Sequence, residues 1–233
     1  MSLPLILGAA MFGGAGATFV PRVADRLAVP RGTPARITCA HCDTPTPDWV
    51  RAGGACRCRP APMWTAGAGA LAAGLLSWGL GASPALLVLL PALLLGVLLA
   101  AVDVRCHRLP DPLVGALALG TVLPLGAGAV LAGDPGRAGR ALLAAGLCGT
   151  AYLLIAILPG HGLGLGDVKL ATVLGFVLGF AGWPAVVAGL VVPHLINGPV
   201  AVVLLLTGRA RRHTAVPLGP SLLAGALAGL LLA

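Results

Sequence analysis

This sequence predicts an all-α, polytopic membrane protein with about eight transmembrane helices and a small cytoplasmic zinc-binding loop domain. Three observations carry the prediction. Of 233 residues, 58% are hydrophobic and only 9% are charged, which is far from the usage of an ordinary soluble domain. Apolar stretches of about 20 residues, the length needed to cross a hydrocarbon layer as a helix, recur along most of the chain. Basic residues collect in alternate loops, the pattern that orients membrane helices.

In chain order, the first span is expected at about 2–20. Ala15-Gly16-Ala17 would suit a signal-peptide cleavage site, but Met1-Ser2-Leu3-Pro4 lacks the positive segment such peptides carry. A long loop follows, with seven arginines from Arg22 to Arg59. The second span (about 62–82) is bordered by Trp64 and Trp78, suited to an interfacial aromatic belt. The third (84–102) runs into Asp103, Arg105 and Arg108; the fourth (113–132) ends before Asp134, read as a helix cap or a partner for Arg137. The fifth (141–158) leads to a glycine-rich loop. The sixth (168–182) is short, and Gly175, Gly179, Gly182 and Pro184 blur its border with the seventh (184–206), so seven spans remain an alternative. The seventh carries His194 and Asn197, polar groups expected to bond to a neighbouring helix or line a cavity; the eighth lies at 216–233. Thirty-five glycines suit helices that pack closely where lipid supplies no hydrophobic drive to associate.

If eight spans alternate, 13 of the 15 basic residues face one side, leaving Arg137 and Arg140 on the other. That side is the cytoplasm. Anionic lipid headgroups therefore account for the net charge of +8, and no loop interleaves basic with aromatic residues as a nucleic-acid surface would.

The chain has seven acidic residues, all aspartate. Asp103 and Asp167 fall at the ends of apolar segments on the cytoplasmic side, where an acid is a functional candidate. Two carboxylates sharing a proton are the minimum of an aspartic protease: one stays protonated as acid while the other activates water. The competing reading is that each merely caps a helix or balances an arginine. Before Asp167, glycines alternate through Pro159-Gly-His-Gly-Leu-Gly-Leu-Gly166. Such a segment serves as a hinge or lets an extended peptide lie against the backbone, which makes Gly164 and Gly166 candidates for substrate binding; Lys169 either steers an acidic residue of the substrate or anchors the cytoplasmic border.

Cys39-Ala-His-Cys42 and Cys56-Arg-Cys58 place four thiols in two close pairs, the donor set of a closed, structural zinc site. Cytoplasmic thiols stay reduced, so disulfides are not expected. Cys106 and Cys148 read as small packing residues; His107 and His161 read as interfacial anchors.

Gly164-Leu-Gly-Asp167-Val-Lys169-Leu170 resembles the GxGD motif of the type IV prepilin peptidases. Asp103-Val-Arg-Cys-His-Arg-Leu-Pro110-Asp111 is similar to that family's first aspartate motif. Pro217-Leu-Gly-Pro220 resembles its late Pro-x-Gly-Pro element, and Gly16-Ala-Thr-Phe19 through Arg26-Leu-Ala-Val-Pro30 a degenerate form of its N-terminal stretch. The resemblance implies residues 1–61 as an N-terminal helix plus Cys-rich loop and 62–233 as the peptidase domain. It also implies Asp103 and Asp167 as the catalytic pair, an accessory Asp111, and zinc in the first loop on Cys39, Cys42, Cys56 and Cys58. The family usually has two residues between paired cysteines, so Cys56-x-Cys58 departs from it and would let His41 substitute. The implied reaction removes the leader of prepilin or pseudopilin precursors at the cytoplasmic face of a bacterial plasma membrane. Long members also methylate the new N-terminus with S-adenosylmethionine. Here Phe19-Val-Pro-Arg22 replaces the family's Asn-containing stretch, so that cofactor enters only if the chain methylates. The rival classes are a polytopic transporter, against which the lack of an internal repeat stands, and a non-catalytic assembly protein.

Overall fold

The computed structural model describes residues 2–30, 32–39, 42–45, 64–158, 163–207 and 217–233. Among these the regular secondary structure is all helix apart from one isolated bridge, Thr38 to Pro45. Five helical stretches are long and apolar enough to cross a membrane, and Gly219–Leu231 is a shorter apolar helix. The chain is a multi-pass membrane protein. It divides into two compact units, Met1–Pro110 and Asp111–Ala233.

The first unit holds α1 (Leu3–Ala17), α2 (Val20–Leu27), α3 (Trp64–Leu80) and α4 (Pro84–Cys106). α1 fills the span expected at about 2–20, and α2 is a second helix where the long loop was expected to begin. At the junction the Thr18 and Phe19 amides turn to carbonyls three residues back, Ala15 and Gly16, a tightened last turn. Pro21 then starts α2, where its fixed φ is tolerated and its missing N–H costs nothing. α1 packs on α3 at glycine: a Cβ on Gly13 would collide with the Gly69 carbonyl, and one on Gly69 with Gly13. Small residues thereby let two backbones touch.

The second unit holds α5 (Asp111–Leu131), α6 (Pro135–Ile157), α7 (Leu165–Ala181), α8 (Trp183–Leu206) and α9 (Gly219–Leu231). α7 is its hub, packing on α5, α6, α8 and α9, and Leu170, Ala171 and all of Val173–Gly179 are buried. Against α6 the contact is again made by small residues; a Cβ at Gly175 would lie 2.8 Å from Cys148 Cβ and 3.0 Å from the Ala144 carbonyl oxygen.

The blurred border between the sixth and seventh expected spans is a true break. Gly182 ends α7 with φ 151, backbone that L side chains rarely adopt, and Pro184 sits in the first turn of α8. Helix starts also differ from expectation, with α6 beginning at Pro135 rather than 141 and α7 at Leu165 rather than 168. Arg137 and Arg140 therefore belong to α6 instead of a loop. Asp134 caps it, its Oδ1 accepting from the Arg137 amide at 3.0 Å. Arg137 Nε donates to the Phe180 carbonyl at 2.9 Å and Arg140 Nε to that of Gly179 at 2.8 Å, while the Arg137 guanidinium lies 4.0 Å above the Phe180 ring. These bonds satisfy carbonyls that the end of α7 leaves without intrahelical partners.

Because α6 and α7 meet across glycine with no slack, Gly175→Val is expected to force them apart. The predicted cost is about 1–3 kcal/mol, read as a lowered thermal unfolding midpoint of the purified protein in detergent.

Candidate active site

Asp167 sits in the first turn of α7, not ahead of it. Its amide donates to the Gly164 carbonyl at 3.0 Å. Gly164 is the N-cap, in ordinary extended backbone with φ −77 and ψ 146, so left-handed freedom is not why glycine stands there. A Cβ at 164 would come 3.4 Å from Asp167 Oδ2; glycine leaves that face of the carboxylate uncovered. Gly166 is already helical. Asp167 as a residue is half-buried, with its Oδ1 shut away from solvent. The N-terminal end of a helix carries partial positive charge, which stabilises a carboxylate placed in its first turn. Gly160, His161 and Gly162 lie outside the described residues.

Asp103 occupies the last turn of α4 and is only 4% exposed. Its carbonyl accepts from the His107 amide at 2.7 Å, and His107 ends the helix in the left-handed region at φ 50. That end is tied to α2 and the strand of chain after it: Arg105 Nε lies 3.3 Å from Asp25 Oδ1, and Arg108 donates to the Val29 carbonyl at 3.1 Å. Arg22 and Arg26 on α2 are buried as well, at 5% and 3% exposure. Basic residues expected to mark only the cytoplasmic side thus also build the first unit.

Asp111 begins α5, and its Oδ1 is 2.7 Å from Lys169 Nζ. Lys169, expected to bind substrate, is engaged by this carboxylate. Of the sequence candidates, the second unit brings Asp111, Lys169, Gly164, Gly166 and Asp167 to the starts of two packed helices. Asp103 belongs to the first unit.

Residues 87–207, just over half of the chain, match the model of the type IV leader peptidase family. The chain belongs to that family. No curated protein and no solved structure matches it. The leader peptidase match takes in Asp103, Asp111, Gly164, Gly166, Asp167 and Lys169, and leaves the cysteine-bearing loop and the Pro217-Leu-Gly-Pro220 element outside it.

Some polar residues of this family member have local duties. Asn197 on α8 donates to Ser221 Oγ on α9 at 2.6 Å, and Ser221 donates to the Leu218 carbonyl at 2.8 Å. The late Pro-x-Gly-Pro element is thus pinned as the start of α9. His194 turns to its own helix instead, Nδ1 lying 2.7 Å from the Leu190 carbonyl oxygen. Sequence reasoning passed over Tyr152, the chain's only tyrosine. It is fully buried on α6, its hydroxyl has no hydrogen-bond partner among the described residues, and its ring centroid is 6.0 Å from that of His194. A lone tyrosine in an apolar helix was the available signal. Cys148 is buried beside it, lining a small apolar crevice with Leu174, Gly175 and Leu190.

Cys39 and Cys42 stand on a short loop closed by the Thr38–Pro45 bridge. The Cys39 amide donates to the Thr44 carbonyl at 3.0 Å and the Asp43 amide to that of Cys39 at 3.1 Å. His41, Cys56 and Cys58 lie outside the described residues, and among the described ones no group of three or more His, Cys, Asp or Glu is placed to hold a metal.

Proposed function

We propose that this chain is a membrane aspartic endopeptidase that removes the leader of prepilin-like precursors at the cytoplasmic face of a bacterial plasma membrane. The observation that supports this most is the family match itself, running from α4 into α8 and containing both Asp103 and Asp167. Each aspartate lies in a terminal turn of an apolar helix, and on this reading both turns sit at the border of the apolar layer. That is the depth at which an apolar segment of a precursor gives way to a soluble leader. In the reaction, the ionised aspartate takes a proton from water, whose oxygen attacks the scissile carbonyl. The protonated partner donates to the carbonyl oxygen; as the C–N bond breaks, the first aspartate gives the proton it took from water to the leaving amine, and the hydroxyl proton of the tetrahedral intermediate returns to the partner.

Processing of a co-expressed prepilin, followed by the size and N-terminal mass of the product, tests this reading. Asp103→Asn and Asp167→Asn are each expected to lower cleavage at least about 100-fold, with Asp111→Asn keeping measurable activity. Unchanged cleavage by Asp167→Asn would rule the mechanism out. The same mass reports whether a methyl group is added, and so whether S-adenosylmethionine is used.

The zinc reading rests on the donor set. Cys39 and Cys42, with two residues between them in sequence, have the spacing of one arm of a chelate, and Cys56 with Cys58 would be the other. Four protein ligands make this a structural site that stabilises the loop and takes no step in cleavage. One zinc per chain is expected by elemental analysis of the purified protein, and none in Cys39→Ser/Cys42→Ser. Wild-type protein that is metal-free when prepared without chelator would contradict the zinc reading.

A further inference from the structure

The ion pair between Asp111 and Lys169 is in the wrong place to be explained by stability. Both side chains are more than half exposed, 59% and 53%, and an exposed pair contributes little. A cation this close to the start of α7 gains nothing from the helix dipole, which favours acids there. α5 and α7 are already held together by apolar packing farther along, where Phe176 approaches Gly126. What the pair does occupy is the one end of that helix pair that bears Asp167, two residues from Lys169 on the same helix. Residues two apart on a helix point to different sides, so Lys169 reaches across to α5 at 2.7 Å while Asp167 faces elsewhere.

We propose that Asp111 and Lys169 are positioning residues, a salt-bridge clamp that fixes the first turn of α7, and with it the Asp167 carboxylate, against the start of α5 for hydrolysis. Asp111 is the first residue of α5, so the anchor point does not drift along a flexible loop. Lys169 follows the Gly164–Gly166 segment, where backbone restraint is least. The clamp acts on neither the attacking water nor the scissile bond. It acts through Asp167, and the inference rests on the peptidase reading for its functional meaning.

The test pairs activity with a readout that needs none. Cleavage of a prepilin by the detergent-solubilised full chain is compared for wild type, Asp111→Asn, Lys169→Gln, Lys169→Arg and the exchanged pair Asp111→Lys/Lys169→Asp. Hydrogen exchange is followed in parallel in the peptide covering the start of α7. A clamp predicts that Asp111→Asn and Lys169→Gln lower kcat about 10- to 100-fold with KM little changed, and speed exchange at the start of α7. Lys169→Arg and the exchanged pair restore both. Single variants that cleave and exchange like wild type overturn the proposal, as does an exchanged pair no better than the singles in either readout. If Asp167→Asn itself still cleaves, the peptidase reading falls, while the exchange data still decide whether the clamp exists.

Discussion

Close packing of α7 by small residues is the constraint on which the rest of the second unit depends. In lipid, apolar side chains gain nothing by leaving one apolar neighbour for another, so helices are held by contact and by occasional hydrogen bonds. α7 meets this condition on every side. Gly175 and Gly179 admit α6 to backbone distance, and Gly229 on α9 meets the Ala185 carbonyl of α8, beside Leu178. The far end of α7 is closed by Arg137 and Arg140. A helix fixed along its length and at its far end holds its first turn, and therefore Asp167, in a definite place within the second unit.

The first unit fixes its aspartate by different means. Asp103 is placed by the end of α4, which stops within one turn because His107 takes a left-handed conformation and Pro110 follows closely. Arginines then tie that end to α2, through Asp25 and through the carbonyls of Pro21 and Val29. Packing of small residues dominates where the surroundings are apolar; charge and hydrogen bonding take over where the chain leaves the apolar layer. Glycine and arginine content, two conspicuous biases of this sequence, thus serve the same end at different depths.

Much of this was legible in the residues. Hydropathy marked out apolar helices along the chain, of which five are long and apolar enough to cross a membrane among the described residues, because a helix crossing lipid must satisfy its own backbone and show apolar side chains over a set length. Asn197 was legible as a polar bridge between helices. Three features were not legible. α2 is too short and too charged to show in a hydropathy window, and its burial of Arg22 and Arg26 depends on what packs against it. The carbonyls that receive Arg137 and Arg140 belong to residues about 40 positions away, and charge counting sees only the arginines. Lys169 looked like an anchor or a substrate contact because its partner Asp111 lies on another helix. In each case the missing information was which surfaces meet, and periodicity on a single helix does not contain it.

The claim at the centre of this account is that two carboxylates share the work of peptide hydrolysis. Its most direct test is the dependence of kcat/KM on pH for prepilin cleavage by the purified chain. Two interacting acids that must be in opposite protonation states give a bell-shaped profile whose limbs belong to the pair. The account predicts that bell, with activity falling on both the acid and the alkaline side. A rate that stays level or rises on one limb only, across the range in which the protein stays folded, would contradict it.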